Sequence, residues 1–369
     1  MKILIINSTC GVGSTGKICV ELAEQFESKG DFVRIGYGRG VAPILYEKYA
    51  YKIGNKLGVN VHWMETKILD NHGLASSFAT KKFLKWADSF NPDLLWLHNL
   101  HGYYINIEML FDWIKSRKNM KVKWTLHDCW AFTGHCAHFT LAKCSKWKEE
   151  CNSCPQKKEY PASYVIDRSY FNYNKKKELF TGVKNMKIVT PSNWLAKMVK
   201  ESFLSEYKIE IVHNTIDENI FKPRESKFRE VYGIGQRKII LGVASIWTEN
   251  KGFLDFINLA TNFIDEKKEV IVLVGLSDVQ IDKLPNTCIG IKRTNNAIEL
   301  AEIYTAADVF INLTYEDTYP TVNLEAKACG TEVVTYNTGG SPESVKKENV
   351  IEPGDINNLW TRVNEILYR

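Results

Sequence analysis

Apolar runs of four to six residues recur along the chain with helical segments between them, at 2–6, 32–37, 93–97, 122–126, 187–190 and 209–212, and again at 239–243, 270–274, 288–291, 309–313 and 331–336. Runs this short read as strands buried on both faces of a parallel sheet. The spacing predicts helices over 17–29, 253–264 and 297–306. Because the strand and helix alternation starts afresh in the second half, the fold class is α/β: two doubly wound Rossmann-like domains. A chain of 369 residues also exceeds what one core usually holds. The join is expected at the polar stretch after 213, giving domains 1–213 and 214–369.

An apolar share of 44% with 25% charged residues is ordinary globular composition and excludes disorder. No run approaches the length of a membrane span or signal peptide, so the expected location is cytoplasmic. Charge is unevenly divided. Residues 1–190 hold 28 Lys and Arg against 17 Asp and Glu, and the remainder 20 against 26. Basic clusters at Lys81, Lys82 and Lys85, at Lys115 to Lys123 and at Lys175 to Lys177 suit a solvated face, an anionic membrane surface or a phosphorylated acceptor. With no nucleic-acid module present, nucleic acid is not an expected partner.

The chemically richest stretch runs from Thr314 to Gly330. Pro320 suits the first turn of a helix and Gly330 its C-terminus, so a short helix is expected to open at the carboxyl end of the 309–313 strand. Ligands bind at that edge of an open parallel sheet, and the amides of Thr321, Val322 and Asn323 would face an anion. Asp317, with Glu316 as the alternative, lies in the loop before the helix, and Glu325 lies a turn inside it. A diphosphate on the amides and a ribose diol on Glu325 would hold a nucleotide end-on. Lys251, opening a helix where a cation opposes the macrodipole, points to an anion there.

Other motifs leave alternatives open. Gly11, Gly13 and Gly16 match the dinucleotide fingerprint formally, but the second strand runs into Gly38 and Arg39 rather than an acid. Arg39 could take a 2′-phosphate, which keeps an NADP-dependent oxidoreductase in view; otherwise the glycines let the loop approach a phosphate or sugar. His98, His101 and His127 with Asp128 stand at strand ends, where a cleft would need polar groups. Five of nine cysteines fall within 129–154. Four of Cys136, Cys144, Cys151, Cys154 and a nearby histidine could hold a structural zinc, or the stretch is a reduced loop.

These residues together resemble the retaining glycosyltransferase family four, of GT-B fold, and within it bacterial exopolysaccharide and O-antigen transferases. The matching stretches are the Gly-rich loop, 97–102, 127–136, 189–194, 214–217, Lys251 with Gly252, Asp317 to Glu325, and 339–343. The resemblance implies that Glu325 holds the ribose, and that Thr321, Val322, Asn323 and Lys251 hold the diphosphate. Ile291 would offer backbone atoms to the base, Asp317 would contact the donor sugar, His127 the reacting face, and Gly13 would line the cleft. Three departures stand out. Asp317 replaces the family's usual Glu, Ile246 stands where an arginine is usual, and the sequence stops at Arg369 where the family tends to continue, as in a short or trimmed member.

The implied reaction moves a sugar from a nucleoside diphosphate donor, UDP- or GDP-linked, to a hydroxyl of a lipid-linked glycan in O-antigen or capsule synthesis. No metal or other cofactor is required, since cations and a helix end neutralise the diphosphate. A nucleotide-sugar epimerase on the same fold is the nearer alternative, and a zinc module with a basic face the non-enzymatic one.

Overall fold

The computed structural model describes Met1 to Arg369, which divide into two compact units, Met1–Val212 and His213–Arg369. The first contains β1 (Lys2–Asn7), α1 (Gly13–Glu27), β2 (Phe32–Tyr37), β3 (Ala50–Lys52), α2 (Lys56–Leu69), α3 (Ser77–Phe90), β4 (Leu94–Leu97), α4 (Ile107–Ser116), β5 (Lys121–Thr125), α5 (Ser169–Phe180), β6 (Met186–Thr190), α6 (Asn193–Lys200) and β7 (Lys208–Ile211). Its seven strands are all parallel in the order β3-β2-β1-β4-β5-β6-β7.

The second unit contains α7 (Phe228–Val231), β8 (Lys238–Val243), α8 (Phe253–Asn262), β9 (Glu269–Val274), α9 (Asp278–Ile281), β10 (Cys288–Ile291), α10 (Ala297–Ala306), β11 (Val309–Asn312), α11 (Thr321–Ala328), β12 (Glu332–Tyr336), β13 (Val350–Ile351) and α12 (Ile356–Leu367). Its sheet is also parallel throughout, in the order β10-β9-β8-β11-β12-β13.

Burial on both faces explains the unbroken apolar runs. In β1, Leu4 and Ile6 join one core and Ile3 and Ile5 the other. In β9, Ile271 and Leu273 face one core while Val270, Val272 and Val274 face the opposite one. Each sheet therefore separates two layers of helices. The helices begin where side chains can accept from their exposed first-turn amides: Asn106 from Met109 N, Ser192 from Leu195 N, Asn296 from Glu299 N and Asp355 from Asn358 N.

Both sheets reverse their winding once, between β1 and β4 in the first unit and between β8 and β11 in the second. At such a reversal the loops leaving two adjacent strands part in opposite directions and open a crevice at the strands' carboxyl ends. In the second unit this is where Lys251 and Asp317 lie, one after β8 and the other after β11.

Several expected boundaries move. The first helix begins at Gly13, so the Gly-rich loop forms its opening turn. Pro320 caps α11 instead of lying inside it, with φ −70° and ψ 120°, and Gly330 closes the helix at φ +87°. The stretch 126–168 is a loop excursion pinned to the first unit's main core through Trp130, Phe132, Phe139 and Trp147.

Candidate functional site

Lys251 ends a single 3-10 turn, Glu249–Lys251, that follows β8. Gly252 after it adopts φ +74°, and a β-carbon there would lie 2.3 Å from the carbonyl oxygen of Leu313. Only glycine lets the chain turn so close to the end of β11. The lysine is thereby brought to the loop that β11 feeds. Its Nζ donates to Asp317 Oδ2 at 3.0 Å and to Thr314 Oγ1 at 3.3 Å.

That loop is held from several sides. Tyr315 N donates to the carbonyl of Asn250 (2.8 Å), and the side-chain amide of Asn250 donates to Glu316 Oε2 (3.3 Å). Thr338 Oγ1 donates to the Thr314 carbonyl (2.6 Å), and Gly340 N to the Asp317 carbonyl (3.1 Å). Gly339, at φ +55°, lies so close beneath Asp317 that a β-carbon would meet its carbonyl oxygen at 1.8 Å. Asp317 Oδ1 accepts from Tyr319 N at 3.2 Å, and Tyr319 is stacked on His213 while its carbonyl accepts from the side-chain amide of Asn214. Of the two candidate loop acids, Asp317 pairs with the lysine, whereas Glu316 is buried against Asn250.

Helix α11 opens directly after this loop, and the amides of Thr321 and Val322 lie in its first turn, where no intrahelical carbonyl can reach them. Asn323 departs from expectation. Its N–H donates to the Pro320 carbonyl at 3.3 Å. Its fully buried side chain bonds Asn312, Ser341 and Ser344, so this residue ties the helix to the sheet instead of facing a ligand. Glu325, half-buried one turn deeper, accepts from the hydroxyl of Tyr304 on α10 at 3.1 Å. Burial first, and the Glu325 charge second, push the Tyr304 phenol well above its usual range, so it stays a proton donor to that carboxylate. The roles of Tyr304 and Asn250 are not readable from the sequence; a periodic apolar helix gives no sign of which of its residues will meet an acid on the neighbouring helix.

Ile291 also departs from expectation. It is buried, and its carbonyl already accepts from both Gly275 N (2.8 Å) and Leu276 N (3.1 Å), so that oxygen is not on offer to a base.

In the first unit the expected polar residues do gather at the ends of β4 and β5. His98 Nδ1 and His127 Nε2 are 2.9 Å apart, with His98 buried and its Nε2 without a partner. Burial holds His127 down to about 4, so the pair shares a proton as neutral rings at neutral pH. Asp128 accepts from or pairs with His101 Nε2 at 2.7 Å and accepts from Trp130 N at 2.9 Å; burial works against ionisation, but the His101 charge and hydrogen bond hold the carboxyl far below its usual range. Gly13 starts α1 at φ +70° with open space where a side chain would be.

The dinucleotide reading loses its footing here. Gly11 N donates to the Gly16 carbonyl (3.0 Å), Thr9 Oγ1 to the Val12 carbonyl (2.8 Å), and the loop closes on itself. Gly38 N and Arg39 N both bond the Ser8 carbonyl, and the Arg39 guanidinium stands 5.9 Å from the Tyr103 ring centre. The zinc reading fares no better. Cys136 and Cys154 share a hydrogen bond that raises the first thiol and lowers the second to about 7, Cys151 lies near them, and no three His, Cys, Asp or Glu side chains are arranged to hold a metal.

Two doubly wound parallel-sheet units define the GT-B class of glycosyltransferase fold. Solved structures share it: sucrose-phosphate synthase from Thermosynechococcus elongatus superposes with a TM-score of 0.70 at 15% identity, over 99% of this chain and 89% of that one. HepE of Anabaena, solved with UDP and glucose, gives 0.65 at 16%, over 100% and 90%. Residues 237–369, most of the second unit, match the family model described as Glycosyl transferases group 1. Among curated proteins, it is 28% identical over 236 residues to WcaC of Escherichia coli K12, a protein named for glycosyl transfer in colanic acid biosynthesis, covering 59% of this chain and 55% of that one. It is 26% identical over 188 residues to the N-acetyl-alpha-D-glucosaminyl L-malate synthase of Bacillus anthracis, covering 48% and 47%. The chain thus spans about half the length of these curated relatives. The homologues and structural neighbours are glycosyltransferases, and neither an oxidoreductase nor an epimerase is among those named here.

Proposed function

We propose that this protein transfers a sugar, with retention of anomeric configuration, from a UDP- or GDP-linked donor to a hydroxyl of a lipid-linked glycan in surface polysaccharide synthesis, working at the cytoplasmic face of a membrane. The second unit is assigned the donor and the first the acceptor. The observation that carries this reading is the Lys251–Asp317 pair beside the opening turn of α11, at the sheet's winding reversal.

An ammonium has three N–H donors, and two are engaged by Asp317 and Thr314. The third, with the amides of Thr321 and Val322, is what a diphosphate at the helix end would meet. As the glycosidic bond breaks, positive charge spreads over the sugar ring and negative charge collects on the diphosphate. Donors fixed in advance around that growing charge lower the barrier without reorganising. Glu325, already oriented by Tyr304, would accept from the ribose hydroxyls and set the nucleotide's depth. The family match, WcaC and a UDP-bound structural neighbour support a nucleotide-sugar donor and an exopolysaccharide product.

The test is donor turnover. Thermal-shift screening against uridine and guanosine diphosphates identifies the base, and Glu325→Ala is then assayed with the preferred nucleotide sugar. Turnover is expected to fall by roughly a hundredfold or more. Wild-type turnover in that variant would remove the ribose role and the end-on placement with it.

A further inference from the structure

The outward side of α2 carries Leu57, Val61, Met64 and Ile68, which fall at i, i+4, i+7 and i+11 and so form one stripe along the helix. All four are exposed, Leu57 by 71% and Met64 by 53%. The side turned into the unit carries Val59 with two buried polar residues, His62 and Thr66. The usual polarity of a surface helix is therefore inverted. His62 is satisfied there by Ser76 Oγ and Gly73 N, and Thr66 by the His62 carbonyl, so the inversion is built in.

The apolar surface continues beyond the stripe. Residues 164–166 run beside the end of α2, with Tyr164 N bonded to the Lys67 carbonyl (2.8 Å) and Ile166 N to the Ile68 carbonyl (3.1 Å), and Tyr164 and Val165 are exposed. Phe78, which begins the adjacent α3, is 85% exposed. Leu57, Val61, Phe78 and Lys82 also share the lining of a cavity of about 660 Å³.

We infer that this face is a docking surface for an anionic lipid bilayer, with α2 lying flat at the headgroup level. Charge names the occupant. Between Lys52 and Lys85 there are six lysines against Glu65 and Asp70, and Asp70 is buried on His135. A second copy docking through the same face would oppose these lysines with their own equivalents. The aromatic pattern agrees: Trp63 and Tyr164 flank the stripe, and the Lys67 ammonium stands 5.6 Å and 4.7 Å from their ring centres, as where amphipathic rings and lysine stems meet the water boundary of a bilayer. No helix is long and apolar enough to cross a membrane, and lying on one requires none.

This inference deepens the membrane-facing part of the proposed function, and its test needs no sugar donor, so either can fail alone. The full chain is sedimented with vesicles of phosphatidylcholine alone and with about a quarter phosphatidylglycerol. Sedimentation is expected with the anionic vesicles, to be suppressed by salt, and to be absent with the neutral ones. The triple variant Val61→Ser, Met64→Ser, Ile68→Ser alters exposed side chains only. It should keep the wild-type melting temperature and partition at least about tenfold more weakly. The charge variant Lys81→Ser, Lys82→Ser, Lys85→Ser should lose about fivefold per lysine, roughly a hundredfold together. A wild-type chain that stays in the supernatant with anionic vesicles, variants that sediment like wild type, or a wild-type dimer that the triple variant abolishes would each overturn the inference.

Discussion

Replacing Lys251 by methionine keeps the side chain's length and apolar stem and removes only the charge and its N–H donors. Two consequences can be sized separately. The Lys251–Asp317 pair is 3.0 Å long, but the lysine side chain is 37% exposed, so solvent screens the pair and its net worth to the fold is about 0–1 kcal/mol. The second unit should therefore lose no more than roughly 4 °C in its thermal transition. If the ammonium also neutralises a departing diphosphate, its loss removes a donor that acts on the transition state, which typically costs about 3 kcal/mol or a hundredfold or more in kcat. The assay is steady-state donor turnover beside a calorimetric melt. Large loss of kcat with a nearly unmoved melt is the expected result. Turnover that falls only as far as the folded fraction falls would refute the reasoning, because Lys251 would then be a strut for the loop and nothing more.

Asn323→Ala removes the buried hub joining Asn312, Ser341 and Ser344 and leaves their polar groups unmatched, so about 3 kcal/mol of stability and roughly 6–12 °C should be lost by calorimetry; a shift within 1 °C would show that the hub is not structural. Gly339→Ala puts a β-carbon into the Asp317 carbonyl at positive φ, so the loop must move; weaker donor binding by titration calorimetry is expected, and unchanged affinity would count against that loop as a donor contact. Lys176 is buried with its ammonium on the Trp130 and Thr133 carbonyls, and burial pulls it from its ordinary value down to about 7. Between pH 7 and 9 the unfolded chain then holds a proton that the fold has released, so stability rises with pH there, by at most about 1.4 kcal/mol per pH unit from this group, and is flat in this contribution below 7. Lys176→Met should flatten that rise in denaturant titrations at stepped pH, and an identical slope in both proteins would exclude Lys176 as its source.

The strands were legible because a parallel sheet buried on both faces leaves an apolar run with no alternation to misread, as in β8, β9 and β11. Helix α11 was legible from Pro320 and Gly330, whose backbone preferences mark its ends. Helix α2 was not, since its buried side is His62 and Thr66 and its apolar stripe faces outward; periodicity reports that a stripe exists, and not which way it points. Strands β3 and β13 have three and two residues, too few for any pattern. At the site, residue types were readable but hydrogen bonds were not. Nothing in the sequence says that the Ile291 carbonyl is occupied by Gly275 and Leu276, or that Asn323 turns its side chain into the sheet.

The departures from the resembled family acquire a physical meaning from this geometry. Ile246, exposed where the resembled family usually has arginine, offers no charge, so under the proposed donor site neutralisation at the end of α11 would fall to one ammonium and the helix's own amides. Asp317 has two opposed effects on that ammonium: it offsets part of the charge and it fixes the position. Positioning dominates, because the carboxylate is itself held at its second oxygen by Tyr319 N and the Asp317 backbone carbonyl is bonded by Gly340 N and packed on Gly339, so the lysine is tied to a rigid frame with one N–H beyond its two bonds. A glutamate at this position would carry its charge one methylene further and need a different frame to hold it. On the proposed reading, the shorter acid, the missing arginine and the close approach of Gly339 are parts of one arrangement, in which a single well-held cation would do the work of a pair.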